Sequence, residues 1–328
     1  YEKDVINLAR GKGWFNGKDE DFSFADTYAP PDYGALRFCE ARVWSMFRRA
    51  APSLNLSIDY VKGVKDAEPL PLWIKPDKKL TVRDVMELMR DHFEGTDFDM
   101  TKDIGAGPHQ LPYRWSPLVW EIDSVEYCHE RPISTQQTGF SFIAQARSWL
   151  PDPIGGILWF GVDDTYSTVY IPVYCNVNKI PVNYAVGVAN FTTSSWESAF
   201  WVFNFVANYA YLRYSHMIKD IQKVQRELEG RFFADQPGIE EAAQHLYKQS
   251  PQLAVDYLTE YSLKAGSESV ERWKKLGESL LCKYMDGNMK DEHGNVTRPG
   301  YPEFWYRKII EETGDHYKMQ ELEPDSAR

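Results

Sequence analysis

Between residues 33 and 50 the apolar positions Leu36, Cys39, Val43 and Phe47 recur every three or four residues, the spacing of a helix that packs one stripe against a core. A helix is predicted there. A second is predicted from Thr81, whose hydroxyl can cap the first turn while Asp84 reaches back; it buries Val82, Val85, Met86, Met89 and Phe93 and ends near Glu94-Gly95. Between them, residues 68–79 carry Pro69, Pro71 and Pro76, which remove donors and bias their predecessors toward extended geometry. That stretch is a connector with at most a short strand. Residues 105–117 predict another irregular stretch, of a length that often carries function.

From residue 118 to 175 the period shortens to that of strands. Segments 119–127, 133–146, 156–162 and 168–174 are separated by turn residues and read as consecutive antiparallel pairs. Phe140, Phe142 and Ala144 alternate with Ser141, Ile143 and Gln145, so one face is strongly apolar and helices are expected to cover it. After about residue 190 the helical period returns. Ser194-x-x-Glu197 has the form of a capping box opening a long helix to about Gly230, and further helices are expected at 238–249, 251–265 and 267–286, with Ser250-Pro251 as cap and first helical position. The acidic end from Glu321 to Arg328 is expected to fray. The change of pattern divides the chain into 1–185 and a mainly helical 186–328, an α+β protein with a long helical carboxy-terminal region.

Composition narrows the classes. Of 328 residues 43% are hydrophobic and 15% aromatic, enough to bury a sizeable core and far from the composition of a disordered chain. The net charge of -11, with Lys and Arg spread thinly, makes nucleic acid an unexpected partner. No stretch approaches the ~20 consecutive apolar residues of a membrane span; even 196–214 carries Glu197, Asn204, Asn208 and Arg213. Cys39, Cys128, Cys175 and Cys282 lie far apart without a CxxC pair and read as buried free thiols. The histidines, among them His92, His109, His129 and His216, show no HExxH or other helical ligand spacing, so neither a metal nor a cofactor is indicated. Gly155-Gly156 lacks any phosphate-cradle pattern and reads as a turn into a strand.

Two blocks are similar to one known family. The first is Arg90-Asp-His-Phe-Glu-Gly-Thr-Asp-Phe-Asp99. The second is Arg131-Pro-Ile-Ser-Thr135, then Gln145-Ala-Arg-Ser-Trp-Leu-Pro151, Ile154-Gly-Gly-Ile-Leu-Trp159 and Ser167-Thr-Val-Tyr-Ile-Pro-Val-Tyr174, ordered and correctly spaced. Both resemble the dipeptidase A (PepD-type) cysteine dipeptidases of the N-terminal nucleophile hydrolases, whose eukaryotic relatives include the secernins. The family's Asn-x-Pro-Arg-Val-Trp element is met here as Cys39-Glu-Ala-Arg-Val-Trp44, which keeps the arginine and loses the Asn and Pro. The blocks cover about residues 37–180, and the helical remainder most resembles the family's Bacteroidetes branch. The match is to the carboxy-terminal, larger part of such a protein.

The resemblance implies an αββα sandwich of two antiparallel sheets between helical layers, of which this chain is a part, and cleavage of dipeptides with a free amino end. It also implies an amino-terminal cysteine exposed by processing. Such a cysteine brings its own base, because an α-amine titrating near pH ~7.8 can take the thiol proton as the thiolate attacks the amide carbonyl. Tyr1 cannot serve, and the four internal cysteines have no free amine. The nucleophile is therefore expected upstream, on the amino-terminal portion of the same protein, and this chain alone is expected to be inactive.

Arg42 is the catalytic residue that the resemblance carries over, since in the related bile-salt and penicillin-V hydrolases an arginine of the matching helix stands close to the cysteine. A permanent cation favours thiolate and can hold a substrate carboxylate in a fork. Arg37 is the alternative if the register differs. Arg114 and Arg131 are candidate carboxylate partners for substrate, each also readable as a structural ion pair, and Gln137 in the Gln136-Gln137-Thr138 run is a candidate hydrogen-bonder to a substrate amide. Competing readings are an acylase acting on bile-salt-like or acyl amides, a non-catalytic relative, and a metallopeptidase, the last disfavoured by ligand spacing. The resemblance favours an exported or periplasmic protein over a cytoplasmic one. Oligomeric state is open, a homo-oligomer included.

Overall fold

The computed structural model describes residues 2–320, so the acidic end from Glu321 to Arg328 lies outside the described residues. The chain forms two compact units, the first built from Tyr1–Phe98 with Trp115–Ser134 and the second from Asp99–Arg114 with Thr135–Arg328.

In the first unit, helix α1 (Ala41–Ala50) continues out of a π turn at Leu36–Glu40. The helix is where the periodicity predicts it, but its buried face is Ala41, Trp44, Ser45 and Ala50, while Cys39 and Val43 are exposed. The π turn supplies the reason. It takes up one extra residue, and one residue is about 100° of helix rotation. Trp44 thereby points into a cluster with Val61, Phe93 and Phe98, its indole donating to the Leu56 carbonyl at 3.0 Å.

Helix α2 (Val82–Met89) begins with the full capping box of Thr81 and Asp84. It buries Met86 and Leu88, whereas Val82, Val85 and Met89 are half-buried. The helix stops at Met89, short of the predicted Glu94-Gly95, because Phe93 adopts φ 62°, a conformation no right-handed helix continues. Residues 68–79 are irregular as expected. The single strand predicted at 119–127 is instead a hairpin, β1 (Val119–Ile122) against β2 (Val125–Cys128), turning at Asp123 and Ser124, both at positive φ.

The second unit holds a three-stranded antiparallel sheet in the order β3 (Phe140–Ala146), β4 (Gly156–Val162), β5 (Ile171–Tyr174). The strands begin later than predicted, at 140 and 171. Helix α3 (Ala199–Ala210) starts five residues after Ser194, and the Ser194–Glu197 box does not form; Ser195 bonds the Glu197 amide instead. A 3-10 turn at Tyr211–Arg213 then breaks the run. Helix α4 (Tyr214–Gln249) passes straight through Gly230 and Pro237, and helix α5 (Pro251–Tyr284) merges the two last predicted helices, with Ser250 at its N-cap and Pro251 in the first turn as expected.

The sheet face that the helices cover is the opposite of the predicted one. Ser141, Ile143, Ile157, Trp159 and Tyr174 face α4 and α5, with Trp159 stacked on Phe233 at 4.5 Å. The register places Phe142 beside Phe160 and Ala144 beside Leu158 on the other face, where Phe140 and Phe142 are 60% and 51% exposed. Inward polar atoms of the sheet find distant partners. Ser141 pairs with the Tyr170 hydroxyl, Gln145 accepts from the Trp159 indole, Glu229 accepts from the Tyr170 amide, and Gln225 donates to the Thr168 carbonyl. Gly266 lets α5 approach Pro181, whose Cγ would sit 2.5 Å from any Cβ there.

A buried ion pair fixes this layer. Arg147, at the end of β3, donates to both carboxylate oxygens of Glu240 on α4 at 2.5 and 2.6 Å and to the Ile154 carbonyl at 2.7 Å; Tyr174 and Gln236 add bonds to the same carboxylate. Glu240→Ala strands the guanidinium and is expected to lower unfolding free energy by ~3–5 kcal/mol, against a smaller loss for Glu240→Gln. Urea melts measure both. A Glu240→Ala loss below ~1 kcal/mol would show that the pair is not what holds sheet to helix.

Candidate active site

The expected site residues fall on both units. Arg37 and Arg42 share the helix that leads into and through α1, in the first unit. Arg37 is committed to structure: it pairs with the half-buried Glu130, donates to the Tyr33 hydroxyl at 2.9 Å, and lies over the Phe98 ring at 4.5 Å. Burial pushes the Glu130 carboxyl up, and Arg37 opposes that shift.

Arg42 is different. Its Nε donates to the Phe38 carbonyl at 2.7 Å, one terminal nitrogen stands 4.0 Å from the exposed Cys39 Sγ, and it makes no ion pair among the described residues.

What orients this helix is a residue that sequence reasoning quoted but did not single out. Asp91, fully buried, accepts from the Ser45 hydroxyl at 2.6 Å, from Arg49 at 3.0 Å and from Arg48 at 3.3 Å, all on α1. Its Oδ2 also accepts from the Phe93 amide at 3.1 Å, holding the positive φ there. A second carboxylate, Glu94, also acts on Arg48, so the two guanidinium groups are balanced by two acids. The Asp91 carbonyl in turn accepts from the Ser134 amide at 3.0 Å, so the Arg90–Asp99 block and the start of the Arg131 block are adjacent. The signal was present as Ser45, Arg48 and Arg49 on one helix face facing an Arg-Asp-His motif. Arg131 itself is exposed and makes no ion pair among the described residues.

In the second unit Arg114 is buried and fully used: it pairs with Asp103 and donates to the carbonyls of Met100, Leu111 and Tyr113. Gln137 is exposed, whereas its neighbour Gln136 donates to the Arg114 carbonyl at 2.7 Å. Beyond the end of β4, read in sequence as a turn, lie two buried carboxyls. Asp164 accepts from the Tyr113 hydroxyl at 2.6 Å, and Asp163, at φ 66°, accepts from Asn204 at 2.8 Å while its other oxygen has no partner. Burial, joined by the charge of Asp164, pushes Asp163 up to about 8 against the Asn204 bond. A doublet of acids at the end of an apolar strand was the available signal.

The thiols correct one expectation: Cys39, Cys175 and Cys282 are exposed and Cys128 half-buried. Cys39 lies in the π turn, Cys128 in β2 and Cys282 in α5. Among the described residues no group of three or more His, Cys, Asp or Glu side chains is arranged to hold a metal ion, and no helix is long and apolar enough to cross a membrane.

The sequence model of peptidase family C69 matches residues 1–227. A probable dipeptidase of Salmonella dublin is 24% identical over 52% of this chain and 33% of its own. A probable dipeptidase B of Streptococcus pyogenes serotype M1 is 21% identical over 88% of this chain and 53% of its own, and one of Lactococcus lactis is 25% identical over 40% and 25%. The chain thus spans about half the length, or less, of these curated relatives.

Asp163 sets a pH dependence of stability. Its folded-state carboxyl is raised, so its contribution is complete below the ordinary aspartate range and is lost as pH rises to about 8. Asp163→Asn mimics the protonated acid. Relative to wild type it is expected to gain roughly 5 kcal/mol on going from pH about 4 to about 8. Chemical denaturation at both pH values measures this; equal slopes of stability against pH for the two proteins would contradict it.

Proposed function

Because the chain belongs to peptidase family C69, we propose that it is part of a dipeptidase that cleaves dipeptides bearing a free amino end, through an amino-terminal cysteine carried by a preceding portion of the same protein. The observation that carries this reading is Arg42. Of the four arginines on the motif-bearing helix, Arg37, Arg42, Arg48 and Arg49, Arg42 alone makes no ion pair among the described residues, and it stands on an element whose other face is locked by Asp91. The curated relatives named probable dipeptidases support the substrate class. None of the four cysteines here has the free α-amine that the chemistry requires, and these residues alone would not turn over substrate.

In this reading the thiolate adds to the substrate's amide carbonyl carbon while the cysteine's own α-amine holds the thiol proton. That proton passes to the departing nitrogen as the C–N bond breaks, and water then releases the acyl group. Arg42 stabilises an anion, either the thiolate or the substrate's terminal carboxylate.

The same reading makes the second unit one sheet and helical layer of an αββα sandwich. The exposed face of Phe140 and Phe142 supports this, since a contiguous apolar sheet face in water marks an interaction surface and a second sheet from the same protein would cover it.

In the complete protein Arg42→Ala is expected to lower turnover about ten- to two-hundred-fold, the rate equivalent of losing a charge-assisted contact of ~1.5–3 kcal/mol. Arg42→Lys should recover only part, because a point charge replaces the planar fork. Arg37→Ala is expected to act on stability, stranding Glu130, with turnover per folded molecule nearly unchanged. Full kcat and KM in Arg42→Ala would remove this helix from the site.

Alkylation offers an independent test. Iodoacetamide is expected to abolish dipeptide hydrolysis and a chelator to leave it intact. Loss of activity to the chelator, restored by zinc, would replace the reading with a metallopeptidase.

A further inference from the structure

After α5 the chain returns through a small hairpin, β6 (Met289–Lys290) with β7 (Val296–Thr297), and then runs as a strap that contains helix α6 (Glu303–Thr313). No residue of α6 is buried, so the strap is held by few contacts. Tyr301, Trp305 and Ile309 share a groove of about 960 Å³ with Ile104. The Tyr301 ring also lies 6.4 Å from that of His109, which in turn meets His216 edge-on at 5.7 Å. The Ser215 amide donates to the His109 carbonyl at 3.0 Å and fixes the two histidines to one another.

The surroundings of this pair suit neutral rings only. His109 Nδ1 is buried and has no hydrogen-bond partner. Among the described residues the charges acting on the two rings are Arg213 and Lys219 around the start of α4 and Lys283 at the end of α5, and no carboxylate acts on either. Asp220, the nearest acid to Lys283, is taken by Lys283 and Tyr284, and Arg213 donates to the Asn288 carbonyl. From the strap the pair meets the uncharged Tyr301. Among the described residues an imidazolium at His109 would gain no acceptor for Nδ1, and the pair would face three cations.

We propose that His109 and His216 form a proton-operated latch, which holds Tyr301 and the strap of residues 298–320 in place while both rings are neutral and releases them when the rings take up protons. Linkage gives the sign. Burial first, and the neighbouring cations second, hold both imidazoles below their ordinary range in the closed state. Once the strap lifts, burial is relieved while Arg213, Lys219 and Lys283 stay with α4 and α5, so the rings titrate higher than in the closed state, toward ~6.5. Closure is therefore complete above that pH and is lost as pH falls through the closed-state values.

Hydrogen–deuterium exchange on the full-length protein tests the latch. After correction for intrinsic chemistry, residues 298–320 should exchange several-fold faster at pH about 5 than at about 7.5. The His109→Gln/His216→Gln double variant should show no such acid response. Unchanged protection in wild type, or an equal acid response in the double variant, overturns the proposal. Proton NMR titration of the wild-type histidines stands independently of whether the variant folds. Midpoints for His109 and His216 below ~6.5 are expected, and midpoints at or above it overturn the latch.

Discussion

The buried Arg147–Glu240 pair decides which side of the sheet is the inside. A guanidinium taken out of water must find acceptors, and Arg147 finds the Glu240 carboxylate together with the backbone carbonyls of Gly155 and Ile154. Those bonds tie the turn between β3 and β4 to α4. Once α4 is held there, Gln225 and Glu229 on the same helix come opposite the backbone of the segment entering β5, and the polar inward face of the sheet is satisfied.

The first unit uses the same device on a smaller scale. Asp91 is an acceptor with no water, so its partners must come from the protein, and Ser45, Arg48 and Arg49 supply them from consecutive turns of α1. One carboxylate thereby fixes the rotation of a helix that a π turn had already displaced. It also bonds the amide of Phe93, so the same side chain ends α2 and sets the cluster of Trp44, Phe93 and Phe98. In both units a single buried charge, not the apolar pattern, sets the orientation.

This is why the sequence was legible for elements and not for faces. Period, capping chemistry and turn residues placed the helix at 33–50, the capping box at Thr81, the irregular 105–117 and the antiparallel run from β3 to β5, all of them local properties. Which face is covered depends on partners far along the chain, as Ser141 with Tyr170 and Arg147 with Glu240 show. The same holds for α4. Gly230 and Pro237 are local stop signals costing about 1 and 3 kcal/mol, yet Glu229, Phe233 and Glu240 on either side of them are all engaged by the sheet, and tertiary bonds carry the helix through. The exposed thiols follow the same logic: a cysteine's burial belongs to the face it lands on, and Cys39 landed on the outer one.

For the candidate site, arginine counts in the sequence are uninformative because every arginine is equally charged; only the partner distinguishes them. Arg37 has Glu130, Arg114 has Asp103, and Arg48 and Arg49 divide Asp91. A paired guanidinium has its field largely cancelled within a few ångströms, so it offers little to an incoming anion. Arg42, half in water, has no carboxylate among the described residues paired to it. Its position is not loose, because the Phe38 carbonyl orients the guanidinium and the Asp91 bonds prevent the helix from turning under it. An uncancelled charge held in a fixed direction is what stabilisation of a developing anion requires, since no reorganisation is then needed at the moment of reaction.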